Sequence, residues 1–166
     1  MSVFVGVDPG LTGGLALISE AGDVIKATPM PRLNGSAGPL DTNAIKAWFS
    51  EAKRAGRVYA ALERVSVRPK EGVKSTLTAG INWGFIKGML VAIGAKHVEP
   101  TPQQWKKALS LPKRPGSERK KAKEDAVAMA MQLFPGVCLT PGRKRVPHDG
   151  MADALLVAEY ARRVLS

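Results

Sequence analysis

The chain has 166 residues and is strongly basic, because 25 Lys and Arg residues against 14 Asp and Glu residues give a formal net charge of +11. Its 45% hydrophobic content is enough for a packed core, which excludes collagen-like and disordered proteins, and its length predicts one domain over residues 1–166. The single Cys138 excludes a disulfide scaffold and is expected to be half-buried, and no apolar stretch is long enough to span a membrane. The N-terminal segment lacks the features of a secretory signal, so a cytoplasmic location is expected.

The first half of the chain predicts three strands, a helix and a fourth strand. The three strands are short β-prone runs bounded by turn residues, at positions 3–7, 14–19 and 24–28, and they predict an antiparallel meander. After a loop rich in Pro and Gly, Asp41 or Thr42 is expected to cap an amphipathic helix that ends at Gly56. Residues Arg57 to Glu63 then predict a buried strand that ends on a carboxylate.

The second half of the chain predicts mainly helices. Ser75 or Thr76 is expected to cap a long apolar helix that ends near Gly94, and a brief strand is expected at Val98. Later helices are expected to begin at the capping box of Thr101, Pro102 and Gln104, at Ser117, and near Asp149. This order of elements predicts an α/β fold with a mixed five-stranded sheet flanked by helices.

Positive charge is concentrated in three parts of the chain. Between Lys106 and Lys123 there are eight basic residues and one acidic residue, and two further clusters lie at 143–145 and 64–74. Such clusters attract phosphodiester backbones through charge neutralisation and counterion release, so the expected partner is a nucleic acid and not a membrane. The candidate DNA contacts are Arg64, Arg68, Lys70, Lys74, Lys106, Lys107, Arg119, Lys120, Lys121, Arg143, Lys144 and Arg145.

Four carboxylates occupy positions that are unfavourable for an isolated acid. Asp8 and Glu63 each follow an apolar strand, while Asp149 and Asp153 lie four residues apart on one face of the last helix. If the first and fourth strands pair, Asp8 and Glu63 lie side by side. Because like charges repel unless a cation lies between them, a cluster of these four carboxylates predicts a site for two divalent cations.

Three of these carboxylates also have a structural interpretation. Asp8 could be a turn residue, Glu63 could pair with Arg64 or Arg68, and Asp149 could be a helix N-cap. Their joint placement favours the metal site over these separate explanations.

Six short segments together match the pattern of a known family. They are DPG at 8–10, Leu-Glu at 62–63, STLTAG at 75–80, VEPTPQQWKKALSL at 98–111, KEDAVAMAMQLFP at 123–135 and HDGMADALLVAEYARR at 148–163. The most specific are the last of these and the Trp105-Lys106-Lys107 run. Along nearly its whole length the chain resembles the RuvC-type Holliday junction resolvases, especially their phage and chloroplast branch.

This resemblance implies an RNase H-like fold and an endonuclease that resolves four-way DNA junctions. Members act with two Mg²⁺ ions, for which Mn²⁺ can substitute, and a homodimer is expected because resolution needs two symmetric nicks. The resemblance carries the metal ligands over to Asp8, Glu63, Asp149 and Asp153, with His148 as an alternative to Asp149. A basic catalytic residue near the site falls on Lys123, although Lys120 and Lys121 are close neighbours.

Other functions remain open from the sequence. An RNase H-like nuclease acting on a hybrid or another branched substrate would share the acidic site, whereas a non-catalytic nucleic-acid-binding module would need only the basic clusters. Gly80, Gly84 and Gly88 lie on one face of the long helix, where they would permit either a dimer contact or close packing on the sheet. The absence of a transit segment favours a bacterial or phage origin over an organelle.

Overall fold

The computed structural model describes residues 1–35, 38–65, 72–142 and 144–166. Its strands are β1 (Ser2–Asp8), β2 (Gly14–Ser19), β3 (Val24–Pro29), β4 (Arg57–Leu62) and β5 (Lys96–Val98). Its α-helices are α1 (Thr42–Ala55), α2 (Val73–Ala92), α3 (Pro102–Ala108), α4 (Arg119–Leu133) and α5 (Asp149–Leu165), and a single 3-10 turn at Gly116–Glu118 precedes α4.

The strands form one mixed sheet in the order β3-β2-β1-β4-β5. Both hairpins, β1 with β2 and β2 with β3, are antiparallel, which confirms the predicted meander. Strand β1 also pairs in parallel with β4, and β4 in parallel with β5. The register sets Val7 beside Leu62, so Asp8 and Glu63 follow at the same edge of the sheet.

Helices cover both faces of the sheet, as the sequence predicts. Because side chains alternate along a strand, Phe4 and Ala61 belong to the core under α3, α4 and α5, while Val5 and Leu62 belong to the core under α1 and α2. The apolar composition of β1 and β4 therefore supplies two separate cores, and the central strands are buried on both sides.

Glycines bring α5 directly onto the β1–β2 hairpin. A Cβ atom at Gly6 would lie 2.0 Å from the Ala154 carbonyl oxygen, and one at Gly150 would lie 2.2 Å from the Thr12 carbonyl oxygen. No side chain fits in either place, so the backbone of α5 directly contacts the backbone of β1 at Gly6 and that of the β1–β2 turn at Gly150. This close approach carries the first turns of α5 to the carboxyl end of β1.

Two predicted helix starts are wrong. Helix α2 begins at Val73 with Gly72 as its N-cap, because the Gly72 carbonyl already accepts the Thr76 N–H at 3.0 Å; Ser75 and Thr76 therefore lie inside the first turn. Helix α4 begins at Arg119, since Ser117 lies in the preceding 3-10 turn.

The predicted caps of α1 and α3 are confirmed, whereas the predicted burial of Cys138 is wrong. The Asp41 side chain caps α1 by accepting the Ala44 N–H at 3.0 Å, and the capping box of Thr101 and Gln104 is present at α3. Cys138 is exposed rather than half-buried, because it lies in the loop after α4, where its thiol contacts Thr140. Within the described ranges, we find no helix with the length and apolarity needed to cross a bilayer.

Candidate metal and nucleic-acid site

Asp8 and Glu63 lie next to each other where β1 and β4 end. The Glu63 N–H donates to the Val7 carbonyl at 3.0 Å, which extends the parallel pairing of the two strands by one residue. Alternation along the strands turns both side chains toward α5, since Gly6 and Ala61, two residues earlier, contact that layer. Asp8 Oδ1 also accepts the Gly10 N–H at 3.1 Å, so Asp8 does act as a turn residue as well.

Helix α5 supplies Asp149 and Asp153 to the same place. Its N-cap is His148, whose Nδ1 atom accepts the Met151 N–H at 3.2 Å, so the interpretation of Asp149 as the N-cap is wrong. Asp149 is the first residue of the helix, and Asp153 lies one turn further along the same face. The N-cap role of His148 occupies one of its two ring nitrogens.

The electrostatics show that three of the acids are close together. Burial, followed by the negative charges of Asp8 and Asp153, raises the pKa of Glu63 to about 8. Burial and then the charge of Asp8 raise the pKa of Asp153 to about 7, and burial also raises the pKa of Asp8. These carboxyl groups destabilise one another's ionised forms, so a cation among them would be bound favourably.

Asp149 differs from the other three acids because a lysine pairs with it. Burial alone would raise the pKa of Asp149, but the hydrogen bond and positive charge of Lys123 outweigh burial and lower it. The charge of Lys106 lowers the pKa values of Asp8, Glu63 and Asp153 without cancelling the effect of burial. The structure thus places Lys123 at the acidic cluster, and it adds Lys106, which the sequence suggested only as a DNA contact.

Glu63 has a partner that the sequence did not predict. Trp105 Nε1 donates to Glu63 Oε2 at 2.7 Å, and the indole ring is fully buried. Among the described residues no ion pair joins Glu63 to Arg64, so that suggested pairing is wrong; Arg68 lies outside the described residues. The only sequence signal was a Trp, which carries one polar atom, at a core position of α3.

A cavity of about 840 Å³ opens beside Asp8 and Glu63. Its walls come from the β1–β2 turn, the residues after β4, the first half of α2 and the start of α4. Three candidate DNA contacts, Arg64, Lys74 and Arg119, line it together with the two acids. Acidic and basic groups therefore face one volume, as required where a phosphate is held next to cations.

The remaining basic candidates lie outside this cavity or outside the described residues. Lys106 and Lys107 border a second groove of about 690 Å³ between α3 and α4, together with Lys113 and Arg114. Two lysines of α4 are partly neutralised, since Lys120 lies 3.9 Å from Glu124 and Lys121 lies 3.1 Å from Glu118. Lys144 and Arg145 are exposed before α5, and the structure does not describe Lys70 or Arg143.

The donor chemistry of the cluster fits a hard divalent cation. Asp8, Glu63, Asp149 and Asp153 offer only carboxylate oxygens, which are the ligands that Mg²⁺ prefers. In the part of the chain that the structure describes, no three Asp, Glu, His or Cys side chains are already arranged to hold a metal ion. Asp149 is already paired with Lys123, so metal binding through Asp149 would require this ion pair to open.

Comparison with known proteins gives matches to solved structures. No family model matches the chain, and no curated protein matches it. The structure of T. thermophilus RuvC in complex with a Holliday junction substrate matches with 20% identity and a TM-score of 0.64, covering 99% of this chain and 97% of that one. A second Thermus thermophilus RuvC structure matches with 20% identity and a TM-score of 0.59, covering 94% and 90%. The chain therefore has the RNase H-like fold of RuvC, with a mixed five-stranded sheet flanked by helices.

Proposed function

We propose that this protein is a metal-dependent endonuclease that cuts four-way DNA junctions. The observation that carries the proposal is the convergence of Asp8, Glu63 and Asp153, because burial and then the charge of Asp8 raise the pKa values of both Glu63 and Asp153. Asp8 and Glu63 also line a cavity together with Arg64, Lys74 and Arg119. The shared fold with RuvC over nearly the full length of both chains supports a nuclease scaffold. The sequence pattern favours the phage and chloroplast branch of these resolvases.

The proposed cofactor is a pair of Mg²⁺ ions, with Mn²⁺ as an alternative. Asp8, Glu63, Asp149 and Asp153 would hold them, and His148 could replace Asp149 through its second ring nitrogen. When bound, two such cations activate a water molecule and stabilise the leaving oxygen of a phosphodiester.

The side chains of this protein would prepare the substrate for that chemistry. Arg64, Lys74 and Arg119 would bind backbone phosphates inside the cavity, because they line it beside the acids. Lys123 lies at the acidic cluster and would orient the attacked phosphate or the water. The strong excess of positive charge would also make binding dependent on salt.

We also propose that two copies associate through α2. Although this helix has 20 residues, only Ile86 and Leu90 are buried. Its exposed side carries apolar residues and glycines at helical spacing. A Cβ at each of these glycines would have no atom of the described residues within 4 Å. The residues of this side are Val73, Leu77, Gly80, Ile81, Gly84, Gly88 and Val91. Among the described residues nothing packs against the three glycines, and this supports the dimer contact over packing on the sheet. A two-fold dimer would present two sites for two symmetric nicks.

A panel of DNA substrates tests the proposal. The purified protein is incubated, with and without Mg²⁺, with each of four substrates in separate reactions. These are a mobile four-way junction, a flap, an RNA–DNA hybrid and a linear duplex. Symmetric cuts in the junction, absent without Mg²⁺, are expected. Preferred cleavage of the hybrid or the flap would support the other nuclease activities, and binding without any cleavage would support a non-catalytic module.

A further inference from the structure

The side chain of Glu63 is held by a residue from a distant part of the chain. Trp105 Nε1 donates to Glu63 Oε2 at 2.7 Å, although 42 positions separate the two residues. The indole is fully buried, and its ring packs in the core under α5 with neighbours such as Phe4 and Ala61. A ring packed on all sides cannot turn its N–H elsewhere, so the direction of this donor is fixed.

The helix that carries Trp105 is also fixed at its start. The Thr101 N–H donates to Gln104 Oε1 at 2.8 Å, and the Gln104 N–H donates to Thr101 Oγ1 at 3.3 Å, which completes a capping box. This box determines where α3 begins and therefore which residue of its short length faces the core.

The backbone next to Glu63 is bonded to the same region. The Arg64 N–H donates to the Pro100 carbonyl at 2.9 Å, immediately before the α3 cap, while the Glu63 N–H donates to Val7 in β1. The end of β4 is thus held between β1 and the start of α3. The hydrogen bond from the Trp105 indole fixes the side chain of Glu63 in addition to its backbone.

We propose that Trp105 is a positioning residue for Glu63, which orients this carboxylate toward Asp8 and Asp153 for cation binding. The inference rests on the proposed function, because it concerns the same acidic cluster. The hydrogen bond occupies Oε2, and among the described residues none donates a hydrogen bond to Oε1, so Oε1 is the oxygen that would bind the cation. Groups that orient metal ligands from outside the coordination shell commonly change metal affinity when they are replaced.

The chain offers a matched control for removing the indole N–H. Trp48 is 4% exposed and lies in the other core, and its Nε1 atom has no hydrogen-bond partner among the residues that the structure describes. Trp48→Phe therefore removes a buried indole of the same size without removing a polar contact. Comparing it with Trp105→Phe separates the loss of packing from the loss of the hydrogen bond.

The test measures Mn²⁺ binding to the DNA-free protein by electron paramagnetic resonance of the unbound ion. Trp105→Phe is expected to raise the dissociation constant for Mn²⁺ about 10-fold. Trp48→Phe is expected to stay within about two-fold of the original protein, and junction binding without metal is expected to be equal in all three. The Mg²⁺ concentration needed for half-maximal cleavage should shift in parallel, with cleavage restored at high Mg²⁺.

A second variant covers the case in which Trp105→Phe does not fold. Benzothienylalanine at position 105 keeps the bicyclic shape and replaces the N–H with sulfur, so it should weaken Mn²⁺ binding to the same extent. If a folded Trp105 variant binds Mn²⁺ as tightly as Trp48→Phe does, the positioning role of Trp105 is wrong, while the proposed function still stands. An original protein that neither binds Mn²⁺ nor cuts junctions would overturn the proposed function as well.

Discussion

The Lys123 ammonium group on α4 pairs with the carboxylate of Asp149 in the first turn of α5. Both side chains keep substantial exposure, at 53% and 36%, so this pair faces the open side of the acidic cluster. It leaves Asp149 ionised under conditions in which the more buried Glu63 holds a proton. The cluster therefore combines one carboxylate that is ion-paired with Lys123 and three, Asp8, Glu63 and Asp153, whose pKa values are raised by burial.

Replacing Lys123 by Ala tests whether Lys123, and not the nearby Lys120, is the basic residue that acts at the acidic cluster. If Lys123 orients the water or phosphate, cleavage at saturating junction should fall about 100-fold, which is typical of losing one positioned proton-transfer or polarising group. Lys120→Ala should weaken junction binding at most, because Lys120 is 92% exposed and lies near Glu124. Lys46→Ala, on the exposed side of α1, serves as the unaffected control. A larger loss of rate in Lys120→Ala than in Lys123→Ala would reverse the assignment.

Gly150→Ala should move α5 away from the β1–β2 hairpin. A Cβ at this position would lie 2.2 Å from the Thr12 carbonyl oxygen, which is rigid backbone. Overpacking of this kind costs about 1–3 kcal/mol of stability, and the displaced helix should also reduce cleavage. Thermal unfolding measures the first effect, with Gly116→Ala as control because no atom of the described residues lies within 4 Å of where its Cβ would be. Equal melting temperatures for the two variants would contradict the close approach.

The metal-free protein should lose stability as pH rises. The pKa of Glu63 rises from 4.5 to about 8 on folding, so between these values the folded state holds more protons than the unfolded state. Stability gained from this group is complete below about pH 4.5 and is lost as pH rises through about 8. The raised pKa of Asp153, about 7, acts with the same sign.

Thermal unfolding in EDTA, followed from about pH 5.5 to about pH 8.5, measures this dependence. The decrease should be smaller in Glu63→Gln, which has no titrating group at this position. Mg²⁺ should stabilise the protein more at the alkaline end, since fewer protons then have to be displaced. A melting temperature that falls equally in the original protein and Glu63→Gln would contradict the assignment to Glu63.

Ile81→Lys should convert a dimer into a monomer. Ile81 is 61% exposed in the middle of the apolar side of α2, where a charge would have to be buried on association. Sedimentation velocity measures the mass, and Ile25→Lys, a charge placed on the 49% exposed Ile25 of β3, is the control. The monomeric variant should nick single junction strands without pairing the cuts. An original protein that sediments as a monomer on junction DNA would refute this part of the proposal.

The sequence predicted the elements and the position of Asp8 and Glu63 because local patterns determine both. Apolar runs that end on a carboxylate identify strand ends, and the adjacency of the two acids then needs only the pairing of β1 with β4. Helix starts were harder to predict, since α2 begins after Gly72, which has no capping side chain, although Ser75 and Thr76 could have supplied one. The presence of good capping side chains therefore does not determine where α2 begins.

Contacts between distant segments could not be predicted from the residues alone. The hydrogen bond from Trp105 to Glu63 depends on how α3 lies against the sheet, and a Trp at a core position gives no indication of its partner. The exposure of Cys138 likewise depends on where the loop after α4 runs. The single domain over residues 1–166 and the roles of the four acids stay predictions.

The most direct test of the account compares the original protein with Asp8→Asn on a four-way junction in Mg²⁺. Losing about 4 kcal/mol of transition-state stabilisation from a metal ligand corresponds to about a 1,000-fold lower rate, so Asp8→Asn should bind the junction as well as before and should not cut it. Asp23→Asn changes an exposed carboxylate that accepts a hydrogen bond from Ser19, and this control should cut normally. Junction cleavage by Asp8→Asn at the original rate would contradict the central claim that the acidic cluster carries the reaction.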